Sequence, residues 1–379
     1  MNALLPLLLQ VAAPAASAQA GREVVVTGPS LSATARALAD CLARHCPPRE
    51  DIEVALAHAE NQFVAGDYPA ARRTLLAARG RNARHAKDLP VEVADLSRAN
   101  ARLAALNGFK QEALIGEVET LEALKAGLPA DDPRVLRQRL EIGDRYASRG
   151  EIANAIDRYD DVAKRARRAN LPLVKAQALF RAVVLYSAVA SVRPEYDGAV
   201  RRATKRLMRD DPAFAPYRDA LGILRVVLAR DGDRAAAIDR ALAPFHAHPV
   251  ARPVLVHAPP TDFQQAGQVD ATTVQARGER DAQWADVGFW IAADGTVRNV
   301  DVLRESPNRG GRWLDVVTRS VAGRRYAPLA VDPASPGLLR VERFSLVHDR
   351  EFATGSHIAT RAPVGRIETL DLTADTPAH

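Results

Sequence analysis

Only two of the 379 residues are cysteine, and only six are lysine (Lys87, Lys110, Lys125, Lys164, Lys175 and Lys205), so arginine supplies nearly all of the 52 basic side chains. Cys41 and Cys46 are separated by Leu42-Ala43-Arg44-His45, which is not the C-x-x-C spacing of a redox centre, and two thiols are too few for a structural zinc site. Signatures of catalysis are missing as well: there is no HExxH, no GxSxG and no phosphate-binding loop. His246-Ala247-His248 and His257 lack neighbouring ligands at metal-binding spacing. No aromatic side chains interleave with the basic runs, which disfavours nucleic acid as a partner. An enzyme, a metal and a cofactor are therefore not expected. Hydrophobic residues at 47%, charged residues at 26%, 22 glycines and 24 prolines describe a soluble globular chain of about two or three domains, not a collagen, a disordered tail or a polytopic membrane protein.

The longest apolar run lies at the start. Residues 4–16 are apolar apart from Gln10, and Ala18-Gln19-Ala20 places small residues where a signal peptidase reads. Cleavage after Ala20 is expected, which puts the mature protein in the periplasm. The alternative is that residues 1–20 stay as an inner-membrane anchor with the rest facing the periplasm. In an oxidising compartment the two cysteines fit one bridge, Cys41–Cys46, stapling a helix over 34–44 to its own end. A loop this short contributes roughly 2 kcal/mol in the chain-entropy picture.

From 51 to 249 the chain reads as helices rich in Ala, Leu and Arg, with Gly or Pro at the turns. Gly66, Gly108 and Gly150 recur every 42 residues, each followed five positions on by Ala71, Ala113 and Ala155. Weaker units follow at Gly198/Ala203 and Gly232/Ala237, and Leu89-Pro90, Leu128-Pro129 and Leu171-Pro172 punctuate the connections. Asp131-Asp132, Asp160-Asp161 and Asp210-Asp211 are expected at helix starts or exposed turns. The best unit pairs Gly143 and Tyr146 with Ala155, Tyr159 and Val162, and it resembles the tetratricopeptide repeat. That resemblance implies stacked helical hairpins with a surface for a peptide or partner protein, or else a helical spacer.

The net charge of +6 is concentrated in this stretch, because the segment 251–379 holds 15 basic against 16 acidic residues. Arg201, Arg202, Lys205, Arg206 and Arg209 share one helical face, with Val200, Ala203 and Leu207 largely on another. Such a face is either a docking surface for an acidic partner or anionic lipid head groups, or a solvated helix side.

After Pro249 the period changes from 3.6 to 2. Residues 284–291 and 297–303 flank Asp294-Gly295 as a hairpin; 312–325 reads as a helix, and 338–347 as a third strand. The residues Val287-Gly288-Phe289-Trp290-Ile291, Asp294-Gly295-Thr296-Val297, Val300-Asp301-Val302, Ser306, Leu314-Asp315 and Arg325-Tyr326-Ala327-Pro328 together resemble the C-terminal domain of TonB-family energy transducers. The resemblance implies a periplasmic module whose edge strand pairs with a peptide segment of an outer-membrane receptor, with no catalytic side chain. The corresponding edge is 338–347, through Leu339, Val341, Arg343, Phe344, Ser345 and Val347.

Residues Glu23, Val24, Val25, Val26 and Thr27 are similar to the TonB-box-type segments of outer-membrane receptors; they read either as a pairing segment or as a short structural strand. The expected fold is α+β and multidomain: a signal peptide (1–20), an N-terminal segment with a stapled helix (21–50), a helical-hairpin solenoid (51–249), a β-β-α-β domain (250–350) and a tail (351–379) in which 366–372 adds at most one strand. The expected function is a periplasmic interaction scaffold linked to TonB-dependent transport, with envelope proteins as partners and at most peripheral membrane contact. The alternative is an atypical energy transducer anchored by residues 1–20.

Overall fold

A computed structural model describes residues 29–208, 211–228, 233–261, 283–307, 310, 312–332, 335–352, 359–362 and 365–373. The cleavage position after Ala20, the segment Glu23 to Thr27, and Arg209 lie outside them, as does Gly232. The described chain is α+β: mostly helical, with antiparallel strands gathered toward the C-terminus.

The N-terminal helix α1 (Leu31–Ala43) starts where the Ser30 hydroxyl accepts from the Ala33 amide. The Cys41–Cys46 disulfide is formed across its end, with the two Cα atoms 5.0 Å apart. Six helices follow in pairs: α2 (Pro48–Val64) and α3 (Tyr68–Asn82), α4 (Pro90–Leu106) and α5 (Lys110–Gly127), then α6 (Pro133–Ser148) and α7 (Ile152–Arg168). Proline opens α2, α4 and α6, where its missing N–H would have had no helical partner. Asp132 caps α6 by accepting from the Arg134 amide. Asp160 and Asp161 are a correction: both lie inside α7, where Asp161 pairs with Arg165 one turn on.

Each pair turns on a glycine that only a residue without Cβ adopts freely: Gly66, Gly108 and Gly150 have φ of 87°, 76° and 79°. Ala71, Ala113 and Ala155 are buried where the second helix of each pair meets the first. Gly198 behaves differently, sitting in the first turn of α9 (Asp197–Leu207) without a positive φ.

Helix α8 (Pro172–Ala190) is long and apolar enough to cross a membrane by length and composition, yet most of it is buried in the fold. Then come α9, α10 (Ala215–Leu228) and α11 (Arg234–Ala247). The remaining elements are β1 (Leu255–His257), β2 (Gln283–Ile291), β3 (Val297–Glu305), α12 (Trp313–Ala322), β4 (Arg325–Tyr326), β5 (Leu338–Val347), β6 (Arg350–Phe352), β7 (Ala359–Arg361) and β8 (Arg366–Asp371).

The chain divides into two compact units whose borders do not follow the change from helix to strand. One contains 29–182 together with the excursion 348–362; the other contains 183–347 and 365–373 among the described residues. In the second unit α10 and α11 bury Ile223, Val226, Ala237 and Ala241 against Val256 of β1 and Ala327, so these helices complete the core beside the strands. In the first, the excursion begins against the turn at Gly108, and Lys110 pairs with Asp349 at 2.6 Å.

The contrast between Gly108 and Gly150 yields a stability prediction. A Cβ at Gly150 meets nothing within 4 Å, whereas one at Gly108 falls 2.2 Å from the carbonyl oxygen of His348. Gly150→Ala is expected to cost about 1–2 kcal/mol from its left-handed backbone alone. Gly108→Ala is expected to cost more than that, read by urea unfolding. Equal losses would mean that the His348 segment does not lie against this turn.

Candidate peptide-pairing sheet

The sequence dictates the sheet through alternation. Along β2, Ala285, Val287, Phe289 and Ile291 point to one face and pack on Trp313, Leu314, Val317 and Val321 of α12, with Phe344 and Leu346 of β5 completing the cluster. Asp294-Gly295 makes the hairpin turn to β3, and a Cβ at Gly295 (φ 78°) would sit 2.0 Å from the Tyr326 carbonyl. Strand order is β3-β2-β5-β8, all antiparallel.

This order corrects the expectation that Leu338–Val347 is an edge. β5 is interior, paired to β2 from Gln283↔Leu346 to Ile291↔Leu338 and to β8 from Val347↔Arg366 to Glu342↔Asp371. The physical reason is burial: the residues from Glu342 to Val347 are all buried, and backbone groups withdrawn from water require partners on both flanks. The added strand falls within the stretch 366–372 read from the sequence.

The side chains named for the pairing edge have separate fates. Phe344 is in the hydrophobic core, Val347 and Ser345 are buried, and Leu339 and Val341 are half-buried. Arg343 is fully buried on the face opposite the core; its guanidinium stacks 3.9 Å from the Trp284 ring centroid and donates to Asp286 at 2.6 and 3.0 Å. Asp286 also accepts from Arg304 on β3, at 3.0 and 2.6 Å. The core face holds a second buried pair, Arg324 to Glu342 at 2.8 Å, with the Tyr326 hydroxyl beside it at 3.1 Å. Neither pair was legible as a pair in the sequence, because its members lie 57 and 18 residues apart.

The free edges are β3 and β8. All of β3 is exposed or half-exposed, including Val302 and Leu303. Its pairing with β2 is interrupted twice, between Asp286/Val287 and between Gly288/Trp290, and Asn299 has φ 50°. Such irregularities, with Arg298, Asp301, Arg304 and Glu305 along the strand, blunt an edge against further pairing.

On α9 the sequence-predicted basic face is real in part. Ala203 and Leu207 are buried; Arg201, Arg202 and Lys205 are exposed and form no ion pair among the described residues, while Arg206 is half-buried.

The helical unit carries a polar network that composition did not reveal. Glu117 of α5 accepts from Gln138 at 2.7 Å and Arg145 at 3.1 Å on α6. Asp144 of α6 accepts from the Tyr159 hydroxyl of α7 at 2.6 Å and from Arg181 of α8 at 2.9 Å, and Arg181 also reaches Glu141 at 3.0 Å. Burial pushes the Asp144 carboxyl up, against the pull of Arg181. Burial, and after it the charge of Asp144, raises Glu141 to about 7, although 51% of its side chain stays accessible and solvent moderates the effect. Next to this network Tyr146, Asn154, Asp157, Arg158 and Asp161 line an open polar depression of about 370 Å³. Among the described residues no group of His, Cys, Asp and Glu could hold a metal ion.

The outward sides of α3 and α5 bear Leu76, Ile115 and Val118, all exposed. Leu76 and Val118 are 42 residues apart, the spacing of the turn glycines, whereas the position 42 before Ile115 is Arg73.

No protein-family model matches the chain, and no curated protein matches it.

Two outcomes follow. Asp286→Ala strands Arg343 without its counter-charge and is expected to cost about 3–5 kcal/mol by urea unfolding; Arg304→Ala, on a half-exposed side chain, is expected to cost under about 1 kcal/mol. Glu141 has a folded pKa above its unfolded value of 4.5, so the folded state binds the extra proton and its contribution to stability declines as pH rises from 4.5 through 7. Glu141→Gln is expected to flatten the stability-versus-pH curve in that window; an unaltered slope would refute the raised pKa.

Proposed function

We propose that this protein is a periplasmic interaction scaffold: a tetratricopeptide-like helical array that holds one partner, followed by a TonB C-terminal-like sheet that pairs with an extended segment of another envelope protein. The observation that carries the reading is the β2-β3-α12-β5 core. The residues that bear the family resemblance, Val287, Phe289, Ile291, Leu314 and Tyr326, belong to one hydrophobic cluster in that core. Recognition then works through backbone pairing at the sheet, with side chains setting register. No catalytic group takes part, and no cofactor is required. The glycine-turned helix pairs support the array's part in this reading, and their exposed Leu76, Ile115 and Val118 supply apolar surface for its partner. Outer-membrane receptors of TonB-dependent transport are the partner class that the resemblance favours.

Two measurements test this. The intact mass of the exported protein is expected to lack residues 1–20; a retained N-terminus would instead indicate an anchored transducer. A photo-crosslinker placed at Leu339 in intact envelopes is expected to capture an extended segment of an outer-membrane receptor. Adducts confined to inner-membrane proteins would sink the proposal.

A further inference from the structure

The sheet has one regular strand with two regular flanks, and the protein's own C-terminal strand takes the second flank. β5 pairs with β2 and with β8 without a register shift, whereas β3 meets β2 through two irregularities. β5 is therefore a better acceptor of a strand than the outer side of β3, provided that its flank is open. What holds β8 there is mostly backbone. None of its six side chains is fully buried, while their partners from Glu342 to Val347 all are. Ile367 is the one β8 residue packed against the hydrophobic core, and only from a half-buried position. At its far end Asp371 pairs with Arg340, and the Thr373 hydroxyl accepts from the Val341 amide at 3.0 Å.

A strand held by ladder hydrogen bonds can be exchanged for another at little net cost, because each hydrogen bond lost is remade with the incoming backbone. A strand held by buried side chains cannot, since removing it exposes apolar surface. β8 is of the first kind. We infer that β8 is a releasable occupant of the acceptor flank of β5, and that the partner is an extended segment that pairs antiparallel to residues 342–347 in its place. This rests on the strand-pairing reading of the sheet and adds where pairing occurs and what holds it closed. The fitting segment places a small or β-branched residue opposite Phe344 and Leu346, as Thr369 and Ile367 do now, and needs no charge of its own.

The test uses the full chain and a synthetic peptide of residues 21–28, whose Val24-Val25-Val26-Thr27 has the required β-branched character. Two variants move β8 in opposite directions. Leu370→Pro removes a ladder donor that faces β5 in the middle of β8 and releases it. Ser345→Cys with Glu368→Cys bridges directly opposed residues and locks it; Ser345→Cys alone is the control. If the unlocked flank is only a minor population, peptide affinity is expected to rise about tenfold in Leu370→Pro, vanish in the oxidised double variant and return on reduction. Equal affinity of the locked and unlocked proteins would overturn the inference while leaving strand pairing intact at another edge.

Hydrogen exchange supplies the second readout. Amides of 366–371 are expected to exchange about 100-fold faster than those of β2, through an opening smaller than global unfolding. Exchange of β8 in step with β2 would overturn its release, whatever the peptide does. Absence of peptide binding in all variants, combined with fast exchange of β8, would leave its release standing and remove the strand-pairing reading instead.

Discussion

The Asp286–Arg343 ion pair joins β2 to β5 with both partners withdrawn from solvent, and the sheet depends on it for more than energy. A buried pair of this kind gains little over well-packed apolar residues but is expensive to break, because one charge is then left without an answer. That asymmetry fixes register. Sliding β5 by one residue would send Arg343 to the face held by Phe289 and Val317, and Glu342 to the face held by Trp284. The Arg324–Glu342 pair imposes the same condition from the other side. With β5 pinned twice, the positions of its amides toward β8 are settled as well, before any side chain of β8 contributes.

The helical unit is organised by a different constraint. Its glycine turns fix where each pair of helices folds back, and small residues set how closely they approach: a Cβ at Gly143 would meet the Tyr159 ring at 2.6 Å. That closeness is what brings the Tyr159 hydroxyl onto Asp144, so backbone economy at one position creates the polar network at the next. Arg181, in the middle of the apolar helix α8, answers Asp144 and Glu141.

Local signals were the legible ones. The 42-residue glycine period gave three turns at positive φ, Asp294-Gly295 gave the hairpin, and the alternation of 338–347 gave β5 with its bounds. The disulfide followed from there being only two cysteines. Features that depend on distant pairing were not legible. The strand at 366–372 was read from the sequence but its pairing with β5 was not, and α10 and α11 join the strands because of Val256 and Ala327, which no helical periodicity announces. The basic face of α9 was readable as charge, but the exposure of Arg201, Arg202 and Lys205 is set by the packing around the helix.

The excursion 348–362 has a bearing on how the chain can be divided. Among the described residues the backbone passes from one compact unit to the other three times, after residues 182, 347 and 362, so no single cut yields two whole pieces. A fragment ending near residue 350, where the sequence places the border between the β-β-α-β domain and the tail, would leave the helical unit without its hairpin and β5 without its second neighbour. An isolated sheet fragment made that way would present an open flank that the whole protein keeps closed, and its tendency to pair with itself would say little about the intact molecule.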